Sequence, residues 1–218
     1  LFKSKAGLVL DPYFSGTKIK WFLDNIPDAR KKAAAGEVVV GTVDTWLLWK
    51  LTGGQEHKTD VSNASRTLLM NLKTLDWDPE LMKTLQVPRS ILPSIESSNA
   101  KFGVTAHVPG LPDGIPIHSM IGDQQSALFG QNCFKPGDAK CTFGTGRFLL
   151  LNIGNTPRAS KSGCLTTVAW KLNNQKPVYA LEGSAFICGA AVQWLRDGLG
   201  LFENSSDIEA LAKSVNTS

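Results

Sequence analysis

The sequence has few residues that could hold a metal ion or a disulfide framework. Its 218 residues include only three histidines and four cysteines, and no two cysteines form a C-x-x-C pair. The histidines are too dispersed for the ligand spacing of a zinc site. A cysteine pattern of this kind is typical of a reducing compartment, and it predicts reduced, buried thiols in a cytoplasmic protein. The cysteines all lie in the second half of the chain, at Cys133, Cys141, Cys164 and Cys188.

Long apolar runs and clustered basic residues are also missing. No stretch approaches the roughly 20 apolar residues that a membrane-spanning helix needs, so no membrane span is predicted. The formal net charge is +4, but the basic residues are scattered, and Arg30-Lys31-Lys32 is the only run of three. Such a run is typical of a solvated helix end. A nucleic-acid surface needs clustered positive charge, so the sequence argues against a nucleic-acid partner.

Apolar spacing predicts helices in the first half of the chain. Ser15 precedes an apolar stripe at helical spacing, which predicts a capped amphipathic helix. Thr42 or Asp44 is expected to cap a second helix. Because large aromatic side chains mainly bury area, three tryptophans on these segments are expected in the core: Trp21, Trp46 and Trp49. The five prolines at residues 88–116 predict a loop-rich region with short strands.

Strand-like runs follow one another from about Asp138 and end in a helix-like stretch at residues 185–199. The runs are Ala139–Phe143, Phe148–Ile153, Cys164–Trp170 and Val178–Leu181. This order predicts a mixed β-sheet that opens a new domain. The segment Lys135-Pro136-Gly137 is expected to end the preceding helix, so the boundary between the two domains is predicted at this segment. A first domain is therefore predicted over residues 1–134 and a second over residues 135–218.

An acid and two amides follow an apolar stretch, Ile115 to Ile121, that is expected to be a strand. The run is Gly122-Asp123-Gln124-Gln125. Asp123 is expected either to cap the following helix or to accept a hydroxyl proton. The two roles are compatible, because a carboxylate at a helix N-terminus stays ionised. Gln124 carries both a donor and an acceptor, so it can bond a neighbouring hydroxyl.

A second glycine-bounded run, Phe143-Gly144-Thr145-Gly146, lies between two of the strand-like segments. Glycine tolerates positive φ and close approach, so this run is either a plain hairpin turn or a backbone cradle for phosphate. Gly189, within a helical pattern, indicates close approach of a neighbouring element or of an adenine ring. Arg66 either belongs to an ordinary turn or holds an anion or a carboxylate.

A carboxylate beside a phosphate-sized turn is the combination that a phosphoryl transferase acting on a hydroxyl needs. The base orients or deprotonates the alcohol, and backbone donors stabilise charge on the moving phosphoryl group. Neither run is specific alone. Together they make phosphoryl transfer the leading hypothesis.

Eight ordered motifs support this hypothesis. They are DPYFSGTK at residues 11–18, KIKWFLDN at 18–25, GTVDTW at 41–46, NASRT at 63–67, GDQQ at 122–125, GTG at 144–146, YALEG at 179–183 and QWLRD at 193–197. Through these motifs the chain resembles the glycerol kinases of the FGGY carbohydrate kinase family over essentially its whole length.

The resemblance implies an α/β fold of the actin-like ATPase (ribonuclease H-like) type, with two domains that close around a cleft. It implies transfer of the ATP γ-phosphate to glycerol, with Mg²⁺, as the first step of glycerol catabolism in a cytoplasmic homo-oligomer. Asp123 matches the catalytic base, and Tyr13 and Gln124 match residues that bind the polyol. Four further residues match positions at or near the nucleotide: Gly144, Thr145, Gly189 and Gln193.

The resemblance also implies parts that this chain does not contain. These are an N-terminal phosphate loop, an Arg-Glu pair that holds glycerol, and a late adenine-binding segment. The chain is therefore expected to be the central part of an enzyme, incomplete at both ends and inactive alone. Arg147, where relatives often have a smaller residue, either assists phosphate binding or points to solvent. Two alternatives stay open: a kinase for another polyol or sugar, and a non-catalytic actin-like nucleotide-binding module.

Overall fold

Short helices and short strands make up residues 1–130 of the structure, a computed structural model that describes residues 1–216. The helices are α1 (Phe2–Lys5), α2 (Ser15–Asn25), α3 (Ala29–Ala34), α4 (Val43–Leu51), α5 (Val61–Ala64), α6 (Pro79–Leu85) and α7 (Asp123–Gly130), with a 3₁₀ turn at Arg89–Ile91. The strands are β1 (Lys58–Asp60), β2 (Met70–Asn71), β3 (Asp76–Trp77), β4 (Ser94–Glu96), β5 (Gly103–Val104) and β6 (Pro116–Ile117). Strands β1 and β4 pair in parallel, whereas β2–β3 and β5–β6 are antiparallel pairs.

A four-stranded sheet in the order β7-β8-β10-β9 forms the second half. Its strands are β7 (Ala139–Phe143), β8 (Arg147–Gly154), β9 (Leu165–Trp170) and β10 (Val178–Ala185), and the helices α8 (Gly189–Asp197) and α9 (Asp207–Lys213) follow. All pairings in this sheet are antiparallel, so the prediction of a mixed sheet is wrong. Short connections join β7 to β8 and β9 to β10, whereas a parallel pair needs a long crossover.

The sequence predicted where these strands lie. Strand β7 has the predicted bounds, and the other three strands overlap their predicted runs. Helix α8 begins at Gly189 rather than at residue 185, because β10 continues to Ala185 and pairs there with Arg147. The last two residues of the predicted second domain, 217–218, lie outside the described residues.

The proline-rich region has the expected loops and short strands, but the strand expected over residues 115–121 is reduced to β6, Pro116–Ile117. This strand pairs only with the two-residue strand β5. Proline also has no amide hydrogen to add to the pairing. The apolar stretch therefore reaches Asp123 as an irregular segment.

Helices α2 and α4 begin where the sequence predicted, but without the predicted side-chain caps. The N-cap positions are Phe14 and Thr42, and neither side chain makes a capping hydrogen bond. Ser15 is already helical, and the first turn of α2 is anchored instead by the Gly16 amide, which donates to the Thr67 carbonyl at 2.8 Å. The cap predicted at Ser15 is therefore wrong.

The larger buried cluster draws residues from both halves of the chain. Leu68, Leu69 and Leu81 of the first half pack in one cluster with Val168 of β9 and Tyr179 of β10. A smaller cluster joins α7 to the sheet through residues that include Leu128, Leu150 and Trp170. Helix α7, which begins with Asp123, is thereby held against the sheet that carries the glycine turn.

The tryptophans expected in the core are not buried. Trp21 and Trp46 are 57% and 60% exposed, and Trp49 is half-buried. Helices α2 and α4 bury another face, which includes Leu23 and Leu48. The outer faces line an apolar groove of about 800 Å³ that includes Phe22, Val43, Trp46 and Trp49. The prediction failed because both helices carry apolar residues on more than one face.

All four cysteines are free, but only Cys133 is buried and Cys141 is exposed. The expectation of buried thiols therefore holds for one residue of the four. Within residues 1–216, no helix combines the length and the apolar character that crossing a membrane requires. The same residues contain no cluster of three or more histidine, cysteine or carboxylate side chains suited to a metal ion.

Candidate active site

Asp123 is the first residue of α7, and it is exposed at the N-terminus of that helix. The N-cap position belongs to Gly122, so the interpretation of Asp123 as the cap is wrong. The carboxylate accepts a hydrogen bond from Gln124 Nε2 at 3.2 Å. An exposed carboxylate in this position is able to accept a proton from a hydroxyl that enters from solvent.

Gly122 is held by a buried network centred on Asp60, which is 0% exposed. Asp60 accepts hydrogen bonds from the amides of Ser62 and Asn63 at 3.0 and 2.9 Å, and from the hydroxyls of Ser62 and Ser98 at 2.8 and 2.7 Å. Burial raises the pKa of Asp60, and these hydrogen bonds oppose the rise. The Ser62 hydroxyl in turn accepts from the Gly122 amide at 2.8 Å. The network thus fixes the start of α7.

Lys140 of β7 connects the same site to the sheet. Its ammonium is buried and donates hydrogen bonds to Gln124 Oε1 and, at 2.8 Å, to Thr142 Oγ1. Burial lowers the pKa of Lys140, while the carboxylates of Asp123 and Glu182 oppose that change. Lys140 and Thr142 lie two positions apart and therefore share one face of the strand. The strand ends one residue before Gly144.

The glycine turn at residues 144–146 joins β7 to β8 and is held by α8. The amides of Gly189 and Cys188 donate to the carbonyls of Gly144 and Thr145 at 2.9 and 2.8 Å. The peptide bonds are trans, and a trans peptide points its N–H opposite to its C=O. The amides of Thr145 and Gly146 therefore point away from α8.

Neither glycine of this turn has positive φ, so backbone conformation is not the reason for glycine at these positions. Space is the constraint instead. A Cβ on Gly146 would lie 2.8 Å from the Ala185 carbonyl oxygen, and one on Gly189 would lie 2.5 Å from the Gly144 carbonyl oxygen. The close approach inferred at Gly189 is thus the contact of α8 with the turn. Gln193 follows one helical turn later, is exposed, and lies on the same face of α8.

Tyr13 contacts aromatic rings from both halves of the chain. Its ring is 52% exposed and contacts the rings of Phe14 and Phe186, with centroid distances of 5.3 and 5.5 Å. Tyr13 and Phe186 line a pocket of about 330 Å³ together with residues that include Asp11 and Glu182. Within residues 1–216, no hydrogen bond joins Tyr13 to Asp123. The structure therefore brings Tyr13 to the second half of the chain without placing it against the candidate base.

Arg66 holds a carboxylate, one of the alternatives that the sequence left open. Its Nη2 donates to Glu182 Oε1 at 2.8 Å, and the Glu182 side chain is only 5% exposed. The guanidinium also lies over the Phe14 ring, 5.4 Å from the centroid. Arg147, by contrast, is exposed, and its guanidinium lies 5.7 Å from the centroid of the Phe143 ring.

The sequence did not indicate Asp60, Lys140 or Glu182 as parts of the site. An isolated lysine in a strand-like run is typical of a solvated position, and a lone aspartate before a helix is typical of a cap. Asp60 does cap α5, but its burial and its link to Gly122 depend on contacts distant in sequence. The alternation of Lys140 with Thr142 was the available signal, since it places two polar side chains on one face of β7.

An exposed carboxylate at a helix N-terminus, connected by hydrogen bonds to the strand that leads into a backbone turn, is compatible with the phosphoryl-transfer class of enzymes. The comparison with family models agrees with this class. Residues 1–130 match the N-terminal domain, and residues 139–217 match the C-terminal domain, of the FGGY family of carbohydrate kinases. The chain belongs to the FGGY family of carbohydrate kinases. The domain boundary after residue 134 stays a prediction.

Curated relatives at high identity are named glycerol kinases. The glycerol kinase of Bdellovibrio bacteriovorus is 64% identical over 98% of this chain, and that of Alkalilimnicola ehrlichii is 57% identical over 99%. The matched region is 43% of the length of each relative. The chain thus spans less than half of these proteins.

Solved structures agree with the family assignment. The crystal structure of Plasmodium falciparum glycerol kinase with ADP matches 99% of this chain and 43% of its own, with a TM-score of 0.91 at 42% identity. The xylulose kinase from Rhodospirillum rubrum matches with a TM-score of 0.81 at 20% identity, which shows the fold alone. The fold is therefore that of the actin-like sugar kinases, as the motifs predicted.

Proposed function

We propose that the protein carrying this chain is a glycerol kinase, which transfers the γ-phosphate of ATP to glycerol and forms sn-glycerol 3-phosphate and ADP. The names of relatives that are 55–64% identical support this proposal. Because the chain covers 43% of those relatives, the activity is inferred for the whole protein that carries it.

The observation that carries the proposal is a continuous set of hydrogen bonds from the candidate base to the strand before the glycine turn. Asp123 is bonded to Gln124, Gln124 to Lys140, and Lys140 to Thr142. Phosphoryl transfer depends chiefly on positioning the acceptor against the nucleotide. One set of contacts connects the proposed base to the strand that leads into the proposed phosphate-binding turn. This connection supports the positioning that phosphoryl transfer needs.

Each residue has a proposed role in this reaction. Asp123 accepts the proton of the glycerol hydroxyl, since it is an exposed carboxylate at a helix N-terminus. Gln124 binds the same hydroxyl through its amide. Tyr13 contributes a wall of the polyol pocket, a role that rests on the family match and that its exposed ring supports.

The nucleotide is proposed to bind at the turn and along α8. The amides of Thr145 and Gly146 point away from α8 and are oriented to donate to phosphate. The N-terminus of α8 adds a favourable dipole for an anion, since its first amides bond the turn. Gly189 keeps the helix close to Gly144, and Gln193 lies exposed on the same face for contact with the nucleotide.

Mg²⁺ is proposed to enter with ATP. In nucleotide sites this ion is bound mainly by phosphate oxygens and water, with one or two protein carboxylates. The described residues hold no cluster of three or more ligating side chains, and Asp123 is an exposed carboxylate at the start of α7. This arrangement is consistent with a Mg²⁺ ion that arrives bound to the nucleotide. The ion would neutralise negative charge on the phosphates.

The homo-oligomeric state, the cytoplasmic location and the absence of a nucleic-acid partner stay predictions. Scattered basic residues support the last of these. The free cysteines support a reducing compartment.

A substrate panel tests the proposed function. Release of ADP is measured with ATP and, in turn, glycerol, other polyols, xylulose and gluconate, using the protein that carries this chain. We expect glycerol to give the highest kcat/KM. A higher kcat/KM with another acceptor would favour a different FGGY kinase. ATP binding with no turnover on any acceptor would favour the non-catalytic module.

A further inference from the structure

Lys140 is a buried residue on a strand whose other residues are exposed. Lys140 is 5% exposed, whereas Ala139, Cys141, Thr142 and Phe143 all face solvent. Lysine is rarely buried unless its charge is paired or fully hydrogen-bonded, because desolvation of an ammonium is costly. The position of Lys140 therefore calls for a reason other than packing.

The direct partners of Lys140 are neutral oxygens. The ammonium donates to Gln124 Oε1 and to Thr142 Oγ1, and in the described part of the chain it forms no salt bridge. Asp123 and Glu182 lie close enough to act on its charge. A lysine that served stability alone would gain more from a direct bond to one of these carboxylates.

The Lys140 contact decides which way the Gln124 amide faces. An ammonium has donors only, so the amide atom that faces it must be the carbonyl oxygen. The NH₂ group then faces the other way, and Nε2 donates to Asp123 Oδ2 at 3.2 Å. One hydrogen of Nε2 is used by Asp123, and the second is available to another acceptor.

We infer that Lys140 is a positioning residue for phosphoryl transfer, which fixes Gln124 as a donor so that the acceptor hydroxyl turns its proton toward Asp123. This inference rests on the proposed kinase function. The hydroxyl oxygen accepts a hydrogen bond from Gln124 Nε2 and donates its own hydrogen to the Asp123 carboxylate.

The reaction then balances with these groups. A bond forms between the hydroxyl oxygen and the γ-phosphorus, and the bond from that phosphorus to the bridging oxygen of ADP breaks. The hydroxyl proton passes to Asp123. Lys140 touches none of the reacting atoms and acts through Gln124 alone.

Loss of Lys140 would free the Gln124 amide to rotate. In the rotated form the carbonyl oxygen faces the hydroxyl and accepts its hydrogen, in competition with Asp123. Glycerol would still bind through the same number of hydrogen bonds, but in an unproductive orientation. The expected effect is therefore on kcat more than on KM.

The test uses Lys140→Met, which keeps the length and the apolar stem of the side chain, in the protein that carries this chain. We expect kcat to fall roughly 10- to 100-fold, with the KM for ATP within about twofold of wild type. Lys176→Met, on an exposed lysine of the β9–β10 connection, is the matched control and should leave kcat unchanged. Thr142→Val, which removes the second anchor of the ammonium, should lower kcat in the same direction by less.

A double-mutant cycle with Gln124→Met separates positioning from a merely structural role. If Lys140 acts through Gln124, adding Lys140→Met to Gln124→Met changes kcat by less than about twofold. If the fold-losses in kcat of the two single variants multiply in the double variant, the inference is overturned. Full activity of both Lys140→Met and Thr142→Val would also overturn it.

A second readout separates this inference from the proposed function. In ¹⁵N-labelled protein, the side-chain amide of Gln124 should exchange with solvent more slowly in wild type than in Lys140→Met or Thr142→Val. Equal exchange rates in wild type and in both variants would contradict the Lys140–Gln124 hydrogen bond. Absence of ADP release by wild type on every acceptor would instead reject the proposed function, with the exchange result still reporting on Lys140 and Gln124.

Discussion

Outside the candidate site, Asp78 is a buried carboxylate at the start of α6 that accepts several hydrogen bonds. It caps α6, accepting from the amides of Glu80 and Leu81 at 2.9 and 3.1 Å, and it is bonded to Lys5 at 3.0 Å and to Asn71 at 2.8 Å. Burial acts to raise its pKa, but the hydrogen bonds outweigh burial and lower the pKa to about 2. The folded pKa lies below the ordinary value, so ionised Asp78 stabilises the fold. That contribution is present above the ordinary pKa and is lost as the pH falls toward 2.

Replacement of Asp78 by asparagine should therefore have a pH-dependent effect on stability. Asp78→Asn keeps an acceptor oxygen for the helix cap and removes the charge. We expect roughly 1–2 kcal/mol of destabilisation near neutral pH, shrinking as the pH falls through the acid range. Urea denaturation at several pH values measures this, with the exposed Glu37→Gln as the control. A difference from wild type that does not vary with pH would contradict the assignment.

At the scale of single residues, the sequence identified the residues of the glycine-bounded motifs but not their supports. Asp123 and Gln124 were singled out as candidates because glycine, an acid and amides stand together after an apolar stretch. Lys140 and Glu182 were not found, because burial of a charged side chain depends on residues distant in sequence. Arg66 lies 116 positions from Glu182, and no local pattern connects them.

The turn at residues 144–146 and helix α8 behave as one structural element. Three amides at the start of α8 donate to carbonyls of the turn. Contact is close at two glycines: a Cβ on Gly189 would lie 2.5 Å from the Gly144 carbonyl oxygen, and one on Gly146 would lie 2.8 Å from that of Ala185. Gly144 has room, since the nearest atom to an added Cβ is 3.9 Å away.

Alanine substitutions at glycines with and without close contacts should have different effects on ADP affinity. Gly189→Ala pushes α8 away from the turn and changes the direction of its amides, so ADP affinity should fall by about tenfold or more. Gly130→Ala, at the exposed end of α7, adds a methyl group where no atom lies within 4 Å, so it should leave ADP affinity unchanged and is the matched control. Calorimetric titration with ADP measures both variants. Equal ADP affinity for Gly189→Ala and wild type, in a folded protein, would show that the turn does not bind the nucleotide.

At the scale of elements, the strand positions followed from the sequence, whereas their pairing and the burial of helices did not. Runs of alternating apolar and polar residues, and runs of β-branched residues, predict where a strand lies. They do so whichever strand it pairs with. The order β7-β8-β10-β9 depends on contacts between strands. Trp21 and Trp46 were assigned to the core on size alone, but α2 and α4 have apolar residues on two faces, and only one face of each is buried.

Contacts between the two halves of the chain hold the site together at the scale of the whole molecule. Arg66 is paired with buried Glu182, Ser65 Oγ lies 2.8 Å from Thr167 Oγ1, and the Tyr179 hydroxyl donates to the Leu72 carbonyl at 2.5 Å. The larger buried cluster also crosses between the halves. The family resemblance predicted two domains with a boundary after residue 134, and these contacts pack described residues from both sides of that position together.

Removal of the Arg66 guanidinium should destabilise this arrangement. Arg66→Met leaves the Glu182 carboxylate buried without its partner, at a cost of about 3 kcal/mol in the free energy of unfolding. The double variant Arg66→Met/Glu182→Gln removes the unpaired charge and should recover most of that loss. Urea denaturation compares the two, with exposed Arg158→Met as the control. A double variant no more stable than Arg66→Met alone would contradict the ion-pair account.

The most direct test of the proposed mechanism is the Asp123→Asn variant of the protein that carries this chain. Asparagine keeps the size of the side chain at the start of α7 but cannot accept the hydroxyl proton as a base. Steady-state ADP release with glycerol should show kcat reduced by at least about 100-fold, with ATP affinity by calorimetry nearly unchanged. Asp28→Asn, at an exposed left-handed position that suits asparagine, is the matched control with full activity. A loss of less than about tenfold in kcat for Asp123→Asn would contradict the assignment of Asp123 as the base.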